Sequence, residues 1–505
     1  MSKIVLISPR VSASRSGHQT ADAAREPLGI ISIGSFLKQN GYAVEILDTN
    51  LYPQAHVRSE VERLVAAKPV YVGLSVMTAQ LPHALEITEL IKRLDPTMPV
   101  VWGGIHPTLF AAQTSLDPRI DLLVYGPGET TALELARRFE SGDTNWNDVQ
   151  GIAYRGAIMP ARPPEDLNSL PFLDYGLLDL KWYLGPAPHY LLSDQPIRAL
   201  TVLSSRGCPW RCGFCVNVVT KNRWRALSAE RFLDELEYQV KTYDLQAVRI
   251  VDEDFFVSKK RVTAIVEGMR ARNLKLTWGT NVRANYFSDK YITADYARSL
   301  AETGVKFLAL GAESGSDQVL ELLHKDITVE QILRSASVCA QAAITPIYSW
   351  MIGIPGQSKV ETRANLDLMN RLTTICPTAV QYTNWIFRPF PGGDLYDKCK
   401  QLGLHEPASV EEWTHLGVDR ERNTGFFPAS DLPWVEDVGF VEFLSVFTPL
   451  IRIPSKAGKP PSFPRRVLSE IVRWLYKSWD VPVGGWFARQ TGNLLRNLVL
   501  ARRVG

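Results

Sequence analysis

Long apolar runs are missing from this chain of 505 residues. No 18 consecutive apolar residues occur, which excludes an ordinary membrane-spanning helix. Cysteine is scarce: six in a chain of this length cannot make the disulfide framework of a small secreted domain. The opening stretch, Met1 to Pro9, lacks the apolar core of a secretory signal, so a cytoplasmic location with reduced thiols is expected. No Gly-x-Gly-x-x-Gly follows the first expected strand, which weakens a dinucleotide reading. Net charge is only +3, and nucleic acid is not an expected partner. There is no internal repeat and no long low-complexity segment.

Three of the six cysteines nevertheless fall within eight residues, in Ser204-Ser205-Arg206-Gly207-Cys208-Pro209-Trp210-Arg211-Cys212-Gly213-Phe214-Cys215. The spacing is Cys-x3-Cys-x2-Cys, with an aromatic residue before the last. Three thiolates on one loop suit three irons of a cubane iron–sulfur cluster and leave the fourth iron open to a ligand. A structural zinc site wants four ligands, usually in two pairs, and no second Cys or His pair lies nearby. Cys208, Cys212 and Cys215 are therefore the expected metal ligands. Cys339, Cys376 and Cys399 are scattered and read as buried small hydrophobes.

Through residue 140, β-branched apolar runs alternate with helical patterns. Strands are expected at 4–8, 43–48, 70–75, 100–103 and 121–125, and helices at 28–40, 57–67, 81–94 and 130–139. That alternation predicts a Rossmann-like, doubly wound parallel sheet, whose ligands sit beyond the carboxyl ends of the strands. The loops there are Ser75-Val76-Met77-Thr78, Gly103-Gly104-Ile105-His106-Pro107 and Gly126-Pro127-Gly128-Glu129. The domain is placed at 1–145, followed by a Pro-rich, acidic linker at 146–195.

Strand and helix patterns resume at 196–400. About six strands predict a partial (β/α)6 barrel of the TIM type, with its chemistry at the strands' carboxyl ends. Those ends carry the cysteine loop, Asp252-Glu253-Asp254, Arg283, Gly311-Ala312-Glu313-Ser314-Gly315 and Gly353-Ile354-Pro355-Gly356. For Asp252, Glu253 and Asp254, helix capping is an equal alternative, and for Arg283 an interior ion pair.

The cysteine motif, with Gly-Ala-Glu-Ser-Gly and Gly-Ile-Pro-Gly after it, resembles radical S-adenosylmethionine (SAM) enzymes. In that family the open iron chelates the amino and carboxylate groups of SAM. Pro27-Leu28-Gly29, Trp102-Gly103-Gly104-Ile105-His106-Pro107 and Tyr125-Gly126-Pro127-Gly128-Glu129 stand in that order ahead of it. Together they resemble the cobalamin (B12)-binding domain joined to many of these enzymes. The resemblance covers roughly residues 1–400 and implies three cofactors: a [4Fe-4S] cluster, SAM and cobalamin. It implies SAM contacts at Phe214, Asp252, Arg283, Glu313, Ser314 and Ile354. Cobalamin contacts are implied at Ser75, Val76, Met77, Gly103, Gly104, Gly126, Gly128 and Glu129. In Asp48-Thr49-Asn50-Leu51-Tyr52-Pro53, Asn50 stands where many cobalamin proteins place a cobalt-ligating His, so no His ligand is expected. The loop at 75–78 would then cover cobalt's lower face, with Val76 or Met77 blocking an axial ligand.

The activity implied is reductive cleavage of SAM to a 5′-deoxyadenosyl radical, hydrogen abstraction, and methyl transfer from methylcobalamin to an unactivated carbon. Radical cyclisation or rearrangement with the same cofactors stays open, as does a non-catalytic cluster or cobalamin sensor. No side chain is assigned to catalysis beyond cofactor binding. The electron donor would be a flavodoxin or ferredoxin, and the substrate a small molecule or a lipid-like one.

Residues 401–505 form an expected helical C-terminal region outside the resemblance. Acids and aromatics at 401–450 are expected to shape the substrate pocket. Residues 451–505 hold eleven Lys/Arg against two acids, a net of +9 that leaves −6 for the rest. Val467, Leu468, Ile471, Val472, Trp474 and Leu475 fall on one helical stripe, and Leu494, Leu495, Leu498 and Val499 on another. Peripheral contact with the inner membrane surface and a helical cap packed on the barrel are both compatible with that pattern.

Overall fold

The computed structural model describes residues 1–11, 26–184, 197–217, 223–391, 393–416, 432–451, 463–481 and 488–495. The chain forms two compact units, Met1–Thr201 with Glu406–Phe426, and Val202–His405 with Phe427–Gly505.

The first unit runs β1 (Lys3–Ser8), α1 (Leu28–Gln39), β2 (Ala43–Asp48), α2 (Gln54–Ala66), β3 (Val72–Ser75), α3 (Leu81–Leu94) and β4 (Val100–Gly103). Two short helices, α4 (Ile105–Leu109) and α5 (Ala111–Thr114), precede β5 (Leu122–Val124), α6 (Glu129–Ser141) and the hairpin β6 (Ile152–Tyr154)–β7 (Ala157–Ile158). The sheet order is β2-β1-β3-β4-β5-β6-β7. The first five strands are parallel and the hairpin is antiparallel. Residues Ile4 to Ser8 of β1 are all buried, the continuous apolar run of a strand covered on both faces. Strand order reverses at β1, between β2 and β3, which is where such sheets open a ligand crevice.

The hairpin was not expected. Its turn places Arg155 and Gly156 at φ 48° and 83°, a primed turn without the usual Asn-Gly or Asp-Gly signal. Helix α2 starts three residues earlier than the pattern suggests, because Pro53 in an extended conformation sets its entry.

The second unit contains β8 (Ala199–Val202), β9 (Ser205–Arg206), β10 (Arg225–Ala226), α7 (Ala229–Tyr243), β11 (Ala247–Ile250), α8 (Lys259–Ala271) and β12 (Thr277–Val282). After these come α9 (Ala294–Ala301), β13 (Val305–Glu313), α10 (Asp317–Leu322), α11 (Val329–Gln341), β14 (Thr345–Ile352), α12 (Lys359–Ile375), β15 (Val380–Ile386) and α13 (Asp394–Gln401). The main sheet lists β15-β14-β13-β12-β11-β8, so each strand bonds to the next one in sequence. Pairings from β11 to β15 are parallel. Six strands in sequential order with helices between them make the expected partial barrel. Trp278, Trp350, Tyr348 and Phe307 fill its core.

Residues 401–450 divide between the units. Helix α14 (Val410–Leu416) belongs to the first, and α15 (Val438–Ile451) packs on β15 in the second. Helix α16 (Phe463–Ser478) packs on α15, with Trp479 4.9 Å from Phe443 and 5.6 Å from Phe440. Among the described residues no helix is long and apolar enough to cross a membrane. The expected stripe at Leu494–Val499 lies partly outside the described residues. Cys339, Cys376 and Cys399 are fully buried free thiols.

Candidate functional site

The cysteine loop leaves the carboxyl end of β8 through β9, and three consecutive acids after β11 hold it in place. Asp252 is fully buried and accepts from Ser204 N at 2.7 Å, Ser204 Oγ at 2.5 Å and Ser205 Oγ at 2.6 Å. Glu253 accepts from Gly207 N at 3.1 Å. Asp254 accepts from Trp210 Nε1 and from Tyr286 OH, each at 2.8 Å. Arg261, on α8, donates to the carbonyls of Ser204 at 2.8 Å and Leu227 at 2.7 Å. Burial pushes the Asp252 carboxyl upward in pKa and these donors oppose it. None of the three acids caps α8; that is done by Ser258. Asp252 spends its carboxylate on the loop, at Ser204 and Ser205.

Cys208, Cys212 and Cys215 are free thiols, Cys212 buried and the others partly so. The Cys215 amide donates to the Cys212 carbonyl at 2.9 Å, and the Gly213 amide to that of Leu323 at 2.9 Å. Arg283, which follows β12, lies with Cζ 4.1 Å over the Trp210 ring and Nη1 3.4 Å from Cys212 Sγ. Its other terminal nitrogen donates to the Lys325 carbonyl. Arg283 is thus neither in a carboxylate ion pair nor turned away from the loop; it sets a cation against a cysteine sulfur. Burial lifts the Cys208 thiol to about 11 and raises that of Cys215.

Glu313 ends β13 with φ at 61°, uncommon for a residue with a Cβ. Its carboxylate turns back over Gly311, where a Cβ would stand 2.2 Å from Oε1. Lys325 Nζ donates to that oxygen at 3.1 Å and lies 5.4 Å from the Phe214 ring centre. The pair is buried, each side chain 10 % exposed. Sequence reasoning missed Lys325; nothing marks it except a turn in which His324 and Asp326 have φ near 50°, at 49° and 52°. Ser314 is fully buried, with Oγ accepting from Ser316 N at 3.1 Å. The Gly315 amide donates to Asn365 Oδ1 at 2.8 Å. Asn365 then donates to Asn384 Oδ1 at 3.1 Å, and Asn384 to Thr448 Oγ1 at 2.8 Å, on α15. Ile354 is buried in a cluster with Leu323, Phe387 and Leu395, against which Phe214 packs. The predicted residues Phe214, Arg283, Glu313 and Ile354 therefore gather around the cysteine loop.

The donor set fits an iron–sulfur cluster: three thiols on a braced loop with cations, Arg283 and Lys325, beside it. Among the described residues no three metal-ligating side chains are close enough to share one ion. A cubane asks for something wider, each thiol facing a different iron.

In the first unit the loops at the carboxyl ends of β3 and β4 are stitched together. Val76 N donates to Gly103 O at 2.8 Å, and His106 N to Val76 O at 3.0 Å. Gly104 has φ 97°, and a Cβ there would lie 2.8 Å from Val76 N, so only glycine fits. Val76 is fully buried while Met77 is 45 % exposed. Of the two residues expected to block an axial ligand, Met77 alone presents a side chain outward. At Gly103 a Cβ would lie 3.7 Å from the Val124 carbonyl oxygen. Gly126, at φ 74°, is exposed, with open space at its Cβ position, while at Gly128 a Cβ would lie 3.0 Å from Ile33. Glu129 is buried and accepts from Ser32 Oγ at 2.7 Å, holding α6 to α1. Ser75 lines the same loop, its Oγ 3.2 Å from the Gly104 Cβ position. These glycine-lined strand ends fit a large, flat ligand approached by backbone.

His106 is fully buried, with Nδ1 3.2 Å from Thr78 Oγ1 and its ring between Phe110 and Trp413 at 5.1 and 5.9 Å. Burial pushes its pKa down to about 3. His56 is exposed, its ring tilted 4.5 Å from that of Tyr52, and lines a cavity of about 190 Å³ with Asp48 and Tyr183. Asn50 is occupied within its own loop, donating to Asp48 Oδ1 at 2.7 Å and accepting from Val11 N at 3.3 Å.

A Rossmann-like unit with glycine-lined strand ends and a parallel partial barrel carrying a three-cysteine loop are the two parts of the chain that carry the candidate sites. Comparison with known proteins agrees. Residues 20–136 match the B12 binding domain, and residues 202–369 match the radical SAM superfamily. The chain thus carries a B12-binding domain followed by a radical SAM domain, and its cofactors are a [4Fe-4S] cluster, SAM and cobalamin. It is 27 % identical over 379 residues to an uncharacterized methyltransferase of Pyrococcus horikoshii, spanning 74 % of this chain and 78 % of that one. It is also 27 % identical over 386 residues to an anaerobic magnesium-protoporphyrin IX monomethyl ester cyclase of Rubrivivax gelatinosus, covering 74 % of this chain but 66 % of the cyclase. The structure of the radical SAM methyltransferase TsrM from Kitasatospora setae, solved with cobalamin and a [4Fe-4S] cluster, shares the fold. Its TM-score is 0.64 at 18 % identity, over 94 % of this chain and all of that one.

Proposed function

We propose that this chain is a C-methyltransferase that acts on an unactivated carbon of a small-molecule substrate. The observation that carries the reading is the union, in one chain, of a braced three-thiol loop on a parallel partial barrel with a B12-binding domain. When bound, the cluster supplies the electron that splits SAM to a hydrogen-abstracting 5′-deoxyadenosyl radical, and cobalamin supplies the methyl group.

The chain's own residues bind and orient. Cys208, Cys212 and Cys215 take three irons and leave the fourth to SAM. Arg283 keeps a positive charge against the Cys212 sulfur in a site shielded from water, where that charge counts for more than in bulk solvent. Glu313 accepts from the amino group or ribose hydroxyls of SAM, sharing its carboxylate with Lys325. The backbone at Ser314 and Gly315 stays fixed through Asn365. Phe214 and Ile354 supply the apolar surface for adenine. In the first unit Ser75, Met77, Gly103, Gly104, Gly126 and Gly128 frame the corrin, while Val76 and Glu129 act from the interior by fixing those loops. A flavodoxin or ferredoxin would supply two electrons per product, one for SAM cleavage and one to make cobalamin ready for remethylation by a second SAM.

Ring closure is the second reading, favoured by the similarity to the Rubrivivax cyclase. Anaerobic turnover with methyl-deuterated SAM separates the two, using acceptors from the classes these relatives act on. Methyl transfer gives S-adenosylhomocysteine and 5′-deoxyadenosine in parallel, with the label in the product. Ring closure gives 5′-deoxyadenosine without S-adenosylhomocysteine, and a sensor gives neither.

A further inference from the structure

Helix α16 carries two apolar faces, and only one is covered. Val472, Leu475 and Trp479 are buried, Trp479 against Phe440 and Phe443 of α15. Val467, Ile471 and Trp474 are 44 %, 44 % and 50 % exposed. Their spacing, i, i+4 and i+7, puts them on one stripe. Single exposed apolar side chains are ordinary, whereas three in register with a half-exposed Trp form a surface. Exposed Arg466 and Lys477 flank it.

Charge selects the occupant. Residues 451–505 hold eleven Lys/Arg and two acids, and both acids are engaged. Glu470 pairs with Arg473 at 2.7 Å, and Asp480 with Lys359 and Arg363 at 3.0 and 2.7 Å. Three side chains are too small a patch for a stable protein interface. On a bilayer, apolar insertion adds to attraction spread over every nearby cation, and Trp favours the headgroup boundary.

We infer that α16 is an interfacial helix that seats this chain on an anionic lipid bilayer, with Val467, Ile471 and Trp474 entering the headgroup–acyl boundary. Exposed Arg466 and Lys477 beside them meet the lipid phosphates. The seat is independent of the reaction carried out in the barrel.

The test is co-sedimentation of the full chain with vesicles of phosphatidylcholine containing about 30 % phosphatidylglycerol, and with phosphatidylcholine alone. Binding to the anionic vesicles is expected to be about 10-fold tighter or more and to fall in high salt. The triple variant Val467→Ser, Ile471→Ser, Trp474→Ser loses about 10-fold or more while keeping iron content, melting temperature and 5′-deoxyadenosine yield. The double variant Arg466→Gln, Lys477→Gln loses binding only to anionic vesicles. Absence of binding to anionic vesicles overturns the inference, as does equal binding by the triple variant. Stripe-dependent dimerisation in sedimentation velocity without vesicle binding also overturns it, assigning the face to a second copy.

Discussion

Replacing Asp252 with Ala isolates the brace beneath the cysteine loop. The change removes one buried acceptor and strands three donors: the Ser204 amide and the hydroxyls of Ser204 and Ser205. Hydrogen bonds to a charged group contribute about 1.5–3 kcal/mol each, and they do not add. The two hydroxyls can rotate toward other acceptors, while the amide is fixed at the strand end. Arg261, which shares this brace, loses the Asp252 charge that favours its ionised form. A net loss of about 3–5 kcal/mol follows, the range for breaking a buried charged network. For a unit of this size each kcal/mol moves the melting temperature by about 2–4 °C, so the barrel should melt about 6–20 °C lower. Asp252→Asn keeps one carbonyl acceptor for the Ser204 amide and should cost about 1–2 kcal/mol. Melting curves of the purified variants, with iron content after anaerobic reconstitution, read both effects. An Ala variant that melts within about 2 °C of the parent and holds the same iron refutes the bracing role.

Cys212→Ala should abolish iron binding and 5′-deoxyadenosine formation while leaving cobalamin bound, read by iron and cobalt content; retained SAM cleavage would overturn the cluster assignment. Asn365→Ala leaves the Gly315 amide unpaired. It should raise the KM for SAM about 10-fold with a smaller change in kcat, the effect of losing about 1–2 kcal/mol of loop positioning. His106 has a folded pKa of about 3, below its unfolded value near 6.5, so the unfolded chain binds more protons between those limits. Its contribution to stability is full above about pH 6.5 and declines by up to ~1.4 kcal/mol per unit as pH falls toward 3. His106→Phe keeps the aromatic contact with Phe110 and Trp413 and should flatten melting temperature between pH 7 and pH 5 relative to the parent; parallel profiles would exclude His106 as the titrating group.

The alternation of β-branched runs and helical patterns identified both sheets, because parallel strands covered on two faces read as continuous apolar segments. The hairpin at 152–158 escaped notice because its strands are only three and two residues long and its turn, Arg155-Gly156, has no Asn or Asp. The cysteine loop was legible since its chemistry is local. Its support was not: Asp252 and Asp254 reach residues 44–48 positions away, a proximity made by parallel strand order. Lys325 escaped because the short helix α10 lies between it and its partner Glu313, a pairing that helical or strand periodicity does not describe. Val76 and Met77 were indistinguishable in the sequence, and the end of β3 separates them by turning one inward and the other outward. The helical stripe at 467–475 was real but too wide: Val472 and Leu475 face α15, leaving Val467, Ile471 and Trp474 outside.

That one chain holds both an open-iron cluster and cobalamin is tested most directly by metal content. Protein produced anaerobically with cobalamin present would be analysed for iron, sulfide and cobalt, with an electron paramagnetic resonance spectrum of the cobalt(II) state. About four irons and one cobalamin per chain are predicted, with no nitrogen coupling from a histidine on cobalt. Four irons without cobalt, or cobalt showing a histidine nitrogen ligand, would contradict the account.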